Sequence, residues 1–212
     1  MSSFTLKIIA VIAMVIDHCG AIFLSEYQIF RIIGRISFPI FCFLLVEGYH
    51  HTKNVYKYLA RLLLFAIISE PFFDKLFYGD WIYKEKGNVF ITLSFGLVFM
   101  IISSKLPNVI EKYIVFAVCL MLASFIPMDY GIYGIAMIGG FYFLRDKKLV
   151  NVIYQGFINM LVIKGIQTYG VIGAVITTFY NGKKGCSKFK YDFYILYPLH
   201  LLILLVITQL AK

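Results

Sequence analysis

Apolar runs follow one another along this chain with little interruption, and that excludes most ways of folding in water. The chain is 61% hydrophobic and 15% charged, with a mean hydropathy of +0.84. A soluble domain of 212 residues has too little interior to hide that surface. Lipid accepts it, provided every backbone polar group is bonded internally, as in a helix. The runs are continuous rather than alternating, which argues against an outer-membrane barrel. Nine candidate segments emerge: 6–24, 29–49, 54–70, 88–104, 109–127, 130–144, 149–164, 167–180 and 192–211. The expected fold is an all-α, polytopic membrane bundle, a single transmembrane domain over 1–212 with about nine spans, eight to ten in range. The seventh and eighth segments are short enough to form a re-entrant pair or one broken helix.

The first segment does not read as a cleaved leader. Lys7 is its single basic residue, and Asp17 and His18 interrupt the apolar stretch. The net charge of +9 is then a matter of sidedness. With the N-terminus inside, the cytoplasmic side gathers Lys7, Lys53, Lys57, Arg61, Lys105, Lys112, Arg145, Lys147, Lys148, Lys183, Lys184, Lys188 and Lys190, against Arg31, Arg35, Lys75, Lys84, Lys86, Lys164 and Lys212 outside. That excess fits a cytoplasmic N-terminus in the inner or cytoplasmic membrane. It explains the basic balance without nucleic acid. Cys19, Cys42, Cys119 and Cys186 show no CxxC spacing and read as free thiols. Four scattered histidines do not match a zinc set, so no metal is expected.

One polar connection stands out, from about Pro71 to Asn88. Its Tyr78, Trp81 and Tyr83 suit the headgroup level, where amphipathic rings collect. Pro39, within the second segment with Gly34 and Gly48, frees a carbonyl on the preceding turn and can kink the helix.

Ionisable residues inside apolar segments are the informative ones, because a charge there needs a partner or a wet cavity. With this orientation Asp17, His18, Arg31, Arg35, Glu70, Asp74 and Asp129 fall toward the outer half. Glu47, His50, His51 and Arg61 fall toward the cytoplasm, and His200 lies near the midplane. Histidine titrates near neutrality, so His18 can act as a general base. Asp17 cannot be assumed to orient it, since neighbouring helical side chains diverge by about 100 degrees. Glu70 or Asp129 is an equal candidate, and a structural Asp17–Arg35 pair is the competing role. Arg31 and Arg35, four apart on one face, suit a phosphate, a carboxylate or a developing oxyanion. Charge compensation for Asp17, Glu70 or Asp74 is the alternative. His200 is a second chemical group or a packing hydrogen bond.

These residues carry a resemblance. LKIIAVIAMVIDHCGAIF at 6–23, the RIIGRISFPIF opening and VEGYHHT and SEPFFD stretches within 31–74, NVFITL at 88–93 and YDFYILYPLHLLIL at 191–204 resemble the TraX family of conjugal-transfer proteins. The resemblance implies a multi-spanning membrane protein linked to acetylation of a pilin N-terminal amine, distantly similar to transmembrane acyltransferases. By motif it carries over Asp17 and His18 in IDH, Arg35 in IGR, Glu47 in VEG and His200 in YPLH. The implied cosubstrate is cytoplasmic acetyl-CoA, its phosphates held by Lys53, Lys57 and Arg61, with Glu47 in the same region. The implied acceptor is a peptide N-terminus, a glycan or a lipid-linked molecule, in contact with the bilayer. Arg31, Glu70, Asp74 and Asp129 would support the site. A small-molecule or proton-coupled transporter and a membrane assembly protein are the rival classes.

Overall fold

The structure, a computed structural model, describes residues 1–161, 165–186 and 192–211. Among them the chain forms ten α-helices and one 3-10 turn. They are α1 Ser3–Phe23, α2 Gln28–Gly34, α3 Ser37–His51, α4 Val55–Tyr78, α5 Val89–Ser104, α6 Val109–Leu122, α7 Gly131–Phe143, α8 Lys148–Leu161, α9 Gly170–Thr177 and α10 Asp192–Leu210. The 3-10 turn is Ile166–Tyr169. Side-chain caps start several of them. Ser2 accepts from the Thr5 amide at 3.2 Å, Asn54 from Lys57 at 2.9 Å and Asn88 from Phe90 at 2.9 Å, each satisfying an otherwise orphaned donor.

The all-α expectation holds, but nine spans do not. Among the described residues three helical stretches are long and apolar enough to cross a membrane: Ser3–Phe23, Gln28–His51 and Asp192–Leu210. The other apolar runs counted flanking turns as helix. The 109–127 run contains a helix of 14 residues and the 130–144 run one of 13. At 1.5 Å per residue each reaches only about 20 Å, against about 30 Å of hydrocarbon. α4 has the length, 24 residues, but Lys57, Arg61, Glu70, Asp74 and Lys75 deny it the composition. The end of the expected 149–164 segment, with Lys164, lies outside the described residues, as do Lys188 and Lys190.

Two compact units make up the chain. One comprises Met1–Glu47 and Gly140–Phe193, the other Gly48–Gly139 and Tyr194–Lys212. In the first, Leu6 and Ala10 of α1 pack on Ile40 and Leu44 of α3, with Phe43, Ile176 and Tyr180 around them. Residues at the start of the chain also pair with the segment after α9. Ser3 and Phe4 donate backbone hydrogen bonds to Lys183 and Lys184, and Asn181 donates to Met1.

α8 reverses the usual amphipathic arrangement. Asn151, Gln155 and Asn159, spaced four apart, are buried, while Leu149, Ile153, Phe157 and Met160 are exposed. The amides bond along the stripe: Gln155 donates to the Asn151 side chain at 3.1 Å, and Asn159 donates to the Gln155 carbonyl at 2.7 Å. Polar groups face protein and apolar groups face outward, the pattern that suits a lipid environment.

In the second unit, Gly96 of α5 admits Ile138 of α7, whose Cδ1 lies 2.3 Å from where a Cβ would stand. Phe90 meets Tyr197 edge-on at 5.0 Å, and Phe65 stacks on Tyr194 at 5.5 Å. α4 runs through Pro71 to Gly79, which caps it in the left-handed region at φ 84°. The long polar connection expected from Pro71 therefore shrinks to a strap over Gly79–Asn88. Burial of Phe73, packed on Phe77 at 5.0 Å, explains the extra helical turns.

Candidate functional site

The conserved geometry of a helix places Asp17 and His18 on different sides of α1, and the structure uses them differently. Asp17 is buried and His18 half-buried. Two glycines let α2 approach closely enough to reach Asp17. A Cβ on Gly34 would stand 2.1 Å from Asp17 Cβ, and one on Gly20 would stand 2.4 Å from Phe30 Cβ.

That approach brings Arg31 and Arg35 onto the carboxylate. Arg31 Nη1 donates to Asp17 Oδ2 at 2.8 Å and to its backbone carbonyl at 3.1 Å. Arg35 Nη2 donates to both Asp17 oxygens at 2.7 Å. The remaining donors of Arg35 tie in other parts of the unit: Nη1 reaches Gln167 Oε1 at 3.1 Å and Nε reaches the Arg31 carbonyl at 3.3 Å. The side chains of Arg35 and Asp17 are only 12% and 10% exposed. A buried charge pair of this kind persists because several hydrogen bonds offset its desolvation. Two guanidiniums on one carboxylate leave these three groups with a net positive charge.

Arg35 stands where the second apolar segment breaks. α2 ends at Gly34 and α3 begins at Ser37. Ser37 Oγ donates to the Gly34 carbonyl at 2.7 Å. Pro39 falls in the first turn of α3, where a missing N–H costs nothing. Gly173 of α9 abuts the break, since a Cβ there would lie 2.4 Å from the Ile36 carbonyl.

Glu47 ends elsewhere in the same unit. Arg145 Nε donates to Glu47 Oε1 at 2.6 Å, and the Tyr180 hydroxyl also hydrogen-bonds Glu47. Burial pushes the Tyr180 hydroxyl up in pKa, and the Glu47 charge pushes it the same way. The hydrogen bond to Glu47 holds the Arg145 guanidinium above its ordinary value.

The second unit holds the other candidates. Lys53 and Lys57 are exposed at the start of α4, and Arg61 lies over the Tyr58 ring at 5.7 Å. Arg61 Nε is buried and has no hydrogen-bond partner among the described residues. Glu70 accepts from both the backbone and the side chain of Asn88. Asp74 Oδ2 accepts from the Tyr83 amide at 2.8 Å. Asp129 is half-buried, and its charge acts on Glu70, as does that of Asp74. His200 is buried on α10, with Nδ1 3.0 Å from the Leu196 carbonyl. A carbonyl only accepts, so Nδ1 carries the proton and Nε2 is the basic nitrogen of the neutral ring.

The structure thus joins Asp17, Arg31 and Arg35 in one cluster and Glu70, Asp74 and Asp129 in another. A search for ionisable residues inside apolar segments overlooks Arg145, one position beyond the 130–144 run, and the uncharged Gln167, Asn88 and α8 amides. The four-residue spacing of Asn151, Gln155 and Asn159 was the available signal.

Comparison with known proteins agrees with the motifs. The family model described as TraX protein matches residues 2–208. The chain is 32% identical over 235 aligned residues to a probable fimbrial assembly protein FimC, serogroup H1, of Dichelobacter nodosus, covering 96% of this chain and 94% of that one. It is 44% identical over 73 residues to the uncharacterized protein RP591 of Rickettsia prowazekii (strain Madrid E), covering 34% of this chain and 27% of that one. No solved structure matches. A family match spanning almost every residue, with the Asp17, Arg35, Glu47 and His200 motifs inside it, makes this chain a member of the TraX family.

Proposed function

We propose that the protein is a membrane-bound acetyltransferase that moves an acetyl group from cytoplasmic acetyl-CoA to an amine or hydroxyl acceptor at the membrane or its outer face. Family membership over 2–208 and the long apolar helices support a membrane-associated acetyltransferase role. The reading is carried further by the half-buried His18, which follows in sequence the Asp17 carboxylate that two guanidiniums hold.

His18 takes a proton from the acceptor as its nitrogen or oxygen bonds to the acetyl carbon. The carbon–sulfur bond breaks, the sulfur leaves with the electron pair, and the proton returns to it as the coenzyme thiol. With Asp17 committed to both arginines, its part is to fix them and leave a positive excess. That excess favours the thioester oxygen as it gains charge. Lys53, Lys57 and Arg61 would hold the phosphates, and Glu47 fixes Arg145 on its own side of the first unit. His200, with a basic Nε2, is the alternative proton acceptor. The fimbrial assembly relative is consistent with an acceptor that belongs to a pilus-type assembly, and the N-terminal amine of a subunit is the acceptor that the TraX resemblance implies.

Purified protein in lipid, given acetyl-CoA and a peptide with a free N-terminus, tests this by mass spectrometry of the peptide. His18→Gln should lower turnover by about 10²–10⁴-fold, the usual contribution of a general base, with folding and acetyl-CoA affinity retained. Near-normal turnover in well-folded His18→Gln would shift the assignment to His200, and no acetyl-CoA binding by the wild type would reject the enzyme. Lys53→Gln should instead weaken acetyl-CoA affinity several-fold, more at low salt where screening is smaller.

A further inference from the structure

α4 holds no acidic residue before Glu70. Lys57 and Arg61, one turn apart on the same side, stand toward its N-terminus, where backbone N–H groups already present positive charge. Lys105, at the end of α5, joins them. Its ammonium lies 5.9 Å from the ring of Tyr56 in the first turn of α4. Among the described residues none of these three cations pairs with a carboxylate. Like charges gathered at the positive end of a helix repel, and an anion placed among them offsets that cost.

Arg61 makes this more than a charged surface. A surface arginine ordinarily carries its guanidinium out to water on an apolar stem. Here the residue is half-buried, the guanidinium lies over the Tyr58 ring at 5.7 Å, and Nε is buried with no hydrogen-bond partner among the described residues. A buried N–H without an acceptor is costly, and the planar fork of an arginine matches pairs of phosphate oxygens. Beyond it the same stripe turns apolar. Leu64 and Ile68 follow Lys57 and Arg61 at helical intervals of three and four, and they are 53% and 42% exposed. Leu63 and Ile67 beside them are exposed as well. Ile68 stands about 10 Å along the axis from Arg61. A basic end continued by a bare apolar face is complementary to an anionic head carrying a hydrocarbon tail.

We propose that α4 seats an anionic phospholipid, with its phosphate on Arg61 and Lys57, Lys105 close by, and an acyl chain along Leu64 and Ile68. The phosphates of acetyl-CoA share the chemistry of the head but make no use of the apolar face, so lipid and coenzyme exclude one another wherever they meet at these cations. The seat itself does not depend on the acetyltransferase reading. It selects a head with net negative charge over a zwitterionic one, whose own ammonium is repelled by the same three cations.

Full-length protein in detergent would be titrated with dioleoyl phosphatidylglycerol, and with dioleoyl phosphatidylcholine as the zwitterionic control, and the retained lipid counted by native mass spectrometry. The first phosphatidylglycerol should bind about tenfold more tightly than phosphatidylcholine, since each lysine or arginine beside an anionic head contributes about fivefold. Arg61→Gln and Lys57→Gln should each lower phosphatidylglycerol affinity by about fivefold and leave phosphatidylcholine alone. Lys57 is exposed, so its variant keeps the test decisive if Arg61→Gln does not fold. Leu64→Asn, also at an exposed position, separates the two sources of phosphate. It should weaken phosphatidylglycerol and leave acetyl-CoA affinity unchanged. Equal retention of the two lipids by the wild type overturns the seat. So does unchanged phosphatidylglycerol affinity in the folded cation variants, and a loss of acetyl-CoA binding alone in them assigns the cations to the coenzyme. Selective lipid retention without any acetyl transfer supports the seat and rejects the transferase.

Discussion

The two units treat buried carboxylates in opposite ways. Around Asp17, two arginines supply charge and hydrogen bonds together, and Gln167 extends the network through Arg35. Around Glu70 and Asp74, amide N–H groups supply hydrogen bonds without charge. The first arrangement is complete in itself and positions helices. The second satisfies direction without an opposite charge from a lysine or arginine among the described residues. Glu47, bound by Arg145 and Tyr180, belongs with the first kind. Burial alone therefore does not identify a functional acid, whereas the nature of its partners does.

Removing the carboxylate charge breaks this contrast most sharply. Asp17→Asn leaves two guanidiniums facing one another with a neutral amide between them, and should cost about 3–5 kcal/mol, as breaking a buried ion pair does. Thermal unfolding in lipid would show it. A loss below about 1 kcal/mol would mean that the pair is screened or exchangeable, in the range of exposed pairs.

Gly34→Ala tests how closely that network depends on helix approach. The new methyl would be driven onto Asp17, so α2 must retreat and the arginine bonds lengthen. Overpacking of this kind costs about 1–3 kcal/mol. A wild-type midpoint would show that α2 can shift without disturbing the charges.

The smallest effect belongs to the second unit. Glu70→Gln removes charge where no lysine or arginine among the described residues compensates it, and keeps an acceptor for Asn88. Stability should move by less than about 1 kcal/mol, the scale of one ordinary hydrogen bond. A loss matching Asp17→Asn would erase the distinction between the clusters.

The first third of the chain was the most legible. The i, i+4 spacing of Arg31 and Arg35 anticipated a shared face, and the Asp17–Arg35 pair forms as one of the two roles considered. Pro39 marked the break, although the kink itself falls at Arg35 and Ile36. Helix counting failed for a physical reason: hydropathy does not register where an apolar run ceases to be helical. At 123–126 the backbone turns while Ala123, Phe125 and Ile126 stay apolar. The opposite error occurred after Pro71, where aromatic packing carried α4 onward. Gln167 was invisible because an amide acquires importance only from what folding puts beside it. The composition of α8 did carry its message, but only burial reveals which face is inside.

That helix has a consequence for anyone who extracts the protein. In water, a helix with α8's composition would settle with Leu149, Ile153, Phe157 and Met160 inward and its three carboxamides outward. The native arrangement is the reverse. Its orientation is thus set by the surrounding solvent as much as by its neighbours, and stripping lipid removes the force that keeps the amides indoors. A half-rotation of α8 about its own axis would dismantle the Asn151–Gln155–Asn159 stripe without unwinding a single turn. Helical content is consequently a poor certificate of native material, and an extract that keeps its circular dichroism can still have turned this helix inside out.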